Sequence, residues 1–135
     1  AAENGYHEAV KTLVVKGANP NTKNKHGQFA LHLATLNKHS NTVQALIENG
    51  SDLDVTDPGG STALHLAATE EGTKNIVDVL TTKGATLDQE NREGYTALHL
   101  AVEKCHVEIV ELLIERGASV NAVTHKGRTA LGLAV

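Results

Sequence analysis

The sequence has no tryptophan and no methionine, and its 135 residues include one phenylalanine, two tyrosines, two prolines and one cysteine. So few aromatic rings disfavour a deep ring-lined pocket, and with it a small-molecule substrate. The core has to be built from Leu, Val, Ile and Ala, which suits thin helices packed closely. A single cysteine, Cys105, excludes a disulfide framework within the chain and points to a reducing compartment, cytoplasmic or nuclear. No run approaches the ~20 apolar residues of a membrane helix, so membrane insertion is not expected. No signal peptide is visible, and without one the sequon Asn49-Gly50-Ser51 reads as chance. Basic charge is scarce: the net charge is −4. With no basic stripe or aromatic platform, nucleic acid is not an expected partner. Residues 57–90 carry six acids and two bases. This acidic centre suits either a partner with some Lys or Arg or a solvated face.

What is abundant is repetition. Residues 28–34 read QFALHLA, 61–67 STALHLA, 95–101 YTALHLA and 128–134 RTALGLA. Leu31, Leu64, Leu98 and Leu131 are spaced 33, 34 and 33 apart. Gly17, Gly50, Gly84 and Gly117 keep the same spacings, as do Gly27, Gly60, Gly94 and Gly127. Three independent markers with one period are the signature of a repeat architecture.

These phrases resemble the ankyrin-repeat family, whose unit of about 33 residues is a β-turn followed by two helices. The resemblance covers the whole chain and implies an all-α ankyrin-repeat solenoid of helix-turn-helix units joined by β-turn fingers. Its units are 1–23 (partial), 24–56, 57–90, 91–123 and 124–135 (partial). One departure is systematic: Ala30, Ala63, Ala97 and Ala130 stand where the family phrase has Pro, a change that a helix start tolerates. Thr62, Thr96 and Thr129 are expected N-caps, whereas Phe29 leaves its helix without one. Apolar pairs at helical spacing, such as Ile76, Val77 and Leu80, mark the second helices. Each of these ends at a glycine suited to the left-handed C′ position. Asn24, Asp57 and Asn91 precede a glycine by three residues, as tight turns prefer. The 34-residue interval places one extra residue between helices, within residues 69–74, where loops absorb insertions. Residues 1–5 match the end of a first helix, and Val135 stops partway through another, leaving Leu131, Leu133 and Val135 facing nothing. Solenoids carry polar capping repeats at their ends. The chain therefore reads as a fragment of a longer ankyrin protein, or one that pairs in a crystal.

No motif for chemistry emerges. There is no HExxH, no zinc-spaced Cys-His cluster, no P-loop and no dinucleotide fingerprint, so neither metal nor cofactor is expected. His32, His65 and His99 fall in the repeat phrase, where the resemblance implies hydrogen bonds within and between repeats; Gly132 replaces them in the last unit. Cys105 and His106 invite a nucleophile–base reading, but neighbours on a helix rarely face each other and no third partner is evident. No catalytic residue is assigned. The resemblance also implies a modification: ankyrin domains are substrates of an asparaginyl β-hydroxylase. Its targets have a Leu eight residues before an Asn that directly follows a Val, as in Leu113…Val120-Asn121. Pro20 breaks the match at Asn21, and Asp54 and Asp88 take the place in the middle units. Alternatively Asn121 simply ties a β-turn through its side chain.

Function follows from the same resemblance, which places recognition of a partner protein on the finger tips and the inner face of the first helices. Carried over, these positions are Lys25, His26, Gln28, Leu36 and Asn37, then Pro58, Ser61, Thr69, Glu70 and Glu71. Arg92, Glu93, Tyr95, Glu103 and Lys104 follow, and finally His125, Lys126 and Arg128. Arg92 and Tyr95 are residue types enriched in interface hot spots. The small apolar area among them makes charge complementarity the expected source of specificity. The leading reading is a non-catalytic protein-interaction scaffold. The alternatives are a targeting or regulatory ankyrin fragment of a larger enzyme or channel, and a transcription-factor inhibitor similar to the IκB proteins, some of which end in a phrase that residues 127–132 resemble.

Overall fold

The computed structural model describes residues 2–135, together with the side chains of all of these except 2–7 and 14. Among the described residues eight helices follow one another: α1 (Ala2–Val15), α2 (Ala30–Leu36), α3 (Ser40–Glu48), α4 (Ala63–Thr69), α5 (Lys74–Thr82), α6 (Ala97–Glu103), α7 (Val107–Glu115) and α8 (Ala130–Ala134). There is no strand among the described residues. Helices of seven and nine residues are too short to persist alone in water; stacking stabilises them. First helices pack in one layer, α2 on α4, α4 on α6 and α6 on α8, while α3, α5 and α7 pack in a second layer with α1 against α3.

The core between the layers is aliphatic. Leu31, Leu64 and Leu98 of the repeated phrase are buried with Val43, Val77, Leu46, Leu80 and Leu113, and Ala34, Ala67 and Ala101 let the layers approach closely. Each buried Leu or Val contributes about 1.5–3 kcal/mol.

The helix ends obey local chemistry. The side chains of Thr62, Thr96 and Thr129 accept from the backbone N–H groups of His65, His99 and Gly132. Phe29 makes no such side-chain bond, as its chemistry requires. At the far ends, Ser51 N–H donates to the Leu46 carbonyl at 3.0 Å across Gly50, whose φ is +98°. The same bond recurs from Ala85 to Leu80 and from Ala118 to Leu113. This closes the last turn with a residue in the left-handed region, as in a Schellman motif.

One local expectation is corrected. Residues 2–5 do not end a separate first helix; they run continuously into α1. Ala1 lies outside the described residues. Ala2 and Glu3 are good helix formers, and a Gly inside a helix costs only about 1 kcal/mol relative to Ala, so helical dihedrals propagate through Gly5.

Candidate functional site

The finger tips are rigid because one side chain organises each. Asn24 Oδ1 accepts from the N–H groups of His26 and Gln28, both at 2.9 Å. Asp57 Oδ1 does the same for Gly59 and Ser61, and Asn91 Oδ1 for Glu93 and Tyr95. In the last finger Thr124 takes this role through longer bonds to Lys126 and Arg128, both 3.3 Å. These Asx-type turns pre-form the loops and point the intervening residues outward. Thr124 was not anticipated, although its place 33 residues after Asn91 marks it.

Fingers also stack. Arg92 N–H donates to the Gly59 carbonyl at 3.1 Å. A Cβ at Gly27 would lie 3.0 Å from Pro58, one at Gly60 2.9 Å from the Arg92 nitrogen, and one at Gly94 2.6 Å from the His125 nitrogen. His125 Nε2 lies 3.7 Å from Glu90 Oε2. Pro58, Arg92 and His125 therefore pack on the preceding finger while staying exposed. Stacking lines up the tips in one row.

Lys25, His26, Glu93, Lys126 and Arg128 are exposed in that row. Gln28, Ser61 and Tyr95 are half-buried at its base, where the carbonyls of Ser61 and Tyr95 bond the histidines of the preceding unit. A second row lies at the ends of the first helices. There Asn37, Glu71, Glu103 and Lys104 are exposed, and Leu36, Thr69 and Glu70 are half-buried. Thr69 Oγ1 donates to the His65 carbonyl and Asn37 Nδ2 to the Leu33 carbonyl, so both also close their own helices. The two rows are separated by a seven-residue helix, about 10 Å.

The phrase histidines form the ladder beneath the row of tips. Nδ1 of His65 accepts from Thr62 N–H at 3.0 Å, and Nδ1 of His99 from Thr96 N–H at 3.0 Å. His32 accepts from Phe29 N–H at 3.2 Å. Each Nε2 faces carbonyls in the next finger or in the chain that leads into it: Val55 and Ser61 for His32, Tyr95 for His65, Ala122 for His99. An accepting Nδ1 fixes the neutral Nε2–H tautomer. Burial pushes the pKa of His32 and His65 below the ordinary value, against the pull of these backbone carbonyls. Among the described residues no three His, Cys, Asp or Glu side chains converge as metal ligands.

Cys105 and His106 do not pair. Cys105 is exposed with φ of +59°. His106 Nδ1 bonds the Ala68 carbonyl of the preceding unit at 3.0 Å, committing its ring to the scaffold.

The position of Asn121 gains a meaning that sequence reasoning missed. Its counterparts do not tie their own turns; they tie the next unit. Asn21 bonds the Gly50 carbonyl and the Asp52 N–H, Asp54 bonds the N–H and hydroxyl of Thr86, and Asp88 accepts from Ser119 N–H. The signal was available, since all of these partners lie 29–32 residues away, close to the repeat period. Asn121 itself is exposed.

The insertion forms the turn between α4 and α5. Glu70 leaves α4 in an extended conformation (ψ 151°), unlike Asn37 and Lys104, whose ψ is near zero at the equivalent ends. Gly72 takes φ of +73°. Thr73 is fully buried and donates to the carbonyls of Ala67 and Glu70. It holds the place that His39 and His106 hold in the neighbouring turns, so here the bond stays within the unit.

Among the described residues no helix is long and apolar enough to cross a membrane. The sequence matches a family described as ankyrin repeats (3 copies) over residues 1–91 and 68–135. It is similar to the E3 ubiquitin-protein ligase KEG of Arabidopsis thaliana, with 36% identity over 45% of this chain and 4% of that protein. It is also similar to the B-cell lymphoma 3 protein homolog of Mus musculus, with 39% identity over 44% of this chain and 14% of that protein. A third relative is the transient receptor potential cation channel subfamily A member 1 of Homo sapiens, with 36% identity over 55% of the chain and 7% of that protein. The matched stretches thus span a small part of each of these relatives.

Proposed function

The chain belongs to the ankyrin-repeat family, and from that premise we propose that it holds a partner protein across its finger tips and the exposed ends of its first helices, without catalysis. We take the repeats to run 24–56, 57–90 and 91–123 between the partial units 1–23 and 124–135. One observation carries the reading: Lys25, His26, Glu93, Lys126 and Arg128 project from turns held by the side chains of Asn24, Asn91 and Thr124, and none of the five side chains is buried. Pre-formed loops that carry exposed charge lose little conformational entropy on binding, and such charges set specificity and association rate.

The test is capture from a lysate on the immobilised chain, beside a variant carrying Lys25→Glu, Glu93→Lys and Arg128→Glu. All three side chains are exposed, so the variant should keep its helical circular dichroism. A protein retained by the native chain and lost from the variant supports the reading. Retention of the same proteins by both baits sinks it.

The similar proteins keep the two alternatives in view: an ankyrin segment of a larger ligase or channel, and an IκB-like regulator. In each the repeats would serve as the binding part, so the surface proposed here is common to all three.

Hydroxylation of Asn121 is a compatible modification. Asn121 is exposed, whereas Leu113, the leucine of the matching pattern, is fully buried. A hydroxylase reading both residues therefore needs the end of α7 to open. An intact mass from mammalian cells with no +16 Da species at Asn121 would exclude it.

A further inference from the structure

A cleft of about 230 Å³ lies between the α4–α5 turn and the start of α7. Roughly 300–1,000 Å³ is usual for a drug-sized ligand, so this cleft has room for one long side chain. It exists where the insertion moves the chain: Glu70 swings out of α4 in the extended conformation and carries Glu71 with it. Opposite, the first turn of α7 supplies Val107, Glu108 and Ile109.

The chemistry of the walls is divided. Val107, which is 63% exposed, and the buried Ile109 give an apolar side. The polar groups behind it are already satisfied, since Thr73 donates to carbonyls of its own turn and His106 bonds the Ala68 carbonyl. The rim holds three carboxylates, Glu70, Glu71 and Glu108, against one ammonium, Lys74. Among the described residues Lys74 forms no ion pair with any of them.

An apolar wall leading to a carboxylate rim fits a side chain with an aliphatic stem and a cationic head. We propose that this cleft receives an arginine or lysine side chain of the partner, its stem along Val107 and its charge among Glu70, Glu71 and Glu108. The inference rests on the partner-binding reading and deepens it, because Glu70 and Glu71 belong to the row of helix ends proposed above. It gives the acidic centre of the sequence a specific role.

The test is a titration of the ¹⁵N-labelled 135-residue chain with the peptide acetyl-Ala-Arg-Ala-amide, followed by amide chemical shifts. Citrulline and norleucine versions serve as controls, the first removing charge at nearly constant shape and the second keeping only the stem. The expected result is saturable shifts at Gly72, Thr73, Val107 and Glu108, at least about fivefold weaker binding of both controls, and weakening by salt. Glu71→Gln with Glu108→Gln should weaken binding about fivefold, a size typical of exposed charge pairs, while the rest of the spectrum stays in place. No saturable shift at these amides overturns the proposal, as does equal binding of the citrulline or norleucine peptide. If the peptide fails while the finger variant still loses a captured protein, this inference falls and the broader reading stands. If the peptide binds while the finger variant loses nothing, the cleft stands and the finger surface falls.

Discussion

His65 Nε2 donates to the Tyr95 carbonyl of the next repeat at 2.9 Å while its Nδ1 accepts from Thr62 N–H, so one buried ring joins the start of one helix to the base of the following finger. The Tyr95 carbonyl also accepts from Asn91 N–H. Replacing the ring therefore leaves Thr62 N–H as the main orphan. His65→Leu should destabilise the chain by roughly 1–3 kcal/mol, the cost of a buried donor without a partner. A urea midpoint equal to that of the native chain would refute this.

The same rings make stability depend on pH. Burial holds His32 and His65 below their ordinary value of 6.5, so the folded chain binds fewer protons than the unfolded chain in the range between the two. The stabilisation is complete above pH 6.5 and is lost as pH falls below it toward the folded values. The slope is at most about 1.4 kcal/mol per pH unit for each ring. Urea midpoints should be flat from pH 8 to 7 and fall from 6.5 to 5, and His65→Gln should make the fall shallower. Midpoints constant across the whole range would contradict the buried neutral rings.

Gly94 is confined twice. Its φ is +82°, and an added Cβ would sit 2.6 Å from the His125 backbone nitrogen, which cannot swing aside. Gly84 has φ of +100° with nothing within 4 Å. Gly94→Ala should cost roughly 3 kcal/mol from conformational strain plus overpacking, and Gly84→Ala about 1–2 kcal/mol from strain alone. Equal losses in chemical denaturation would mean that the fingers do not stack as described.

Lys38 and Cys105 carry the opposite expectation. Both are exposed and both have φ of +59° in the turns between helices. A left-handed conformation costs an L-residue roughly 1–2 kcal/mol, partly offset by the greater unfolded-state entropy of Gly, about 0.4–1 kcal/mol. Lys38→Gly and Cys105→Gly should each stabilise the chain by about 0.5–1 kcal/mol, read as a higher urea midpoint. A lower midpoint would show that these side chains contribute contacts in the turn.

The period of the phrases made the helix starts legible, because Ala30, Ala63, Ala97 and Ala130 all follow the same cap position and all begin helices. The caps at Thr62, Thr96 and Thr129 and the turn residues Asn24, Asp57 and Asn91 were legible for the same reason: each acts on backbone groups two to four residues away. Residues that act between repeats were harder to see. Asp54 looked like a broken hydroxylation pattern and proves to be a staple to Thr86. His106, for which the sequence offered no role once a dyad with Cys105 was set aside, proves to be a tie to Ala68.

By itself the sequence determined the repeat, the layers of short helices, the aliphatic core and the acidic centre, since each follows from the spacing and type of residues close along the chain. Tertiary structure alone decided which side chains of the surface are committed to the stack and which are free. Pro58, Arg92 and His125 read as contact residues, yet each also packs on the finger before it. The extra residue near Gly72 read as a loop insertion, yet it shapes a cleft with the start of α7. Both outcomes depend on how one repeat is placed on the next, a rotation and separation set by the sum of many buried contacts rather than by any local phrase.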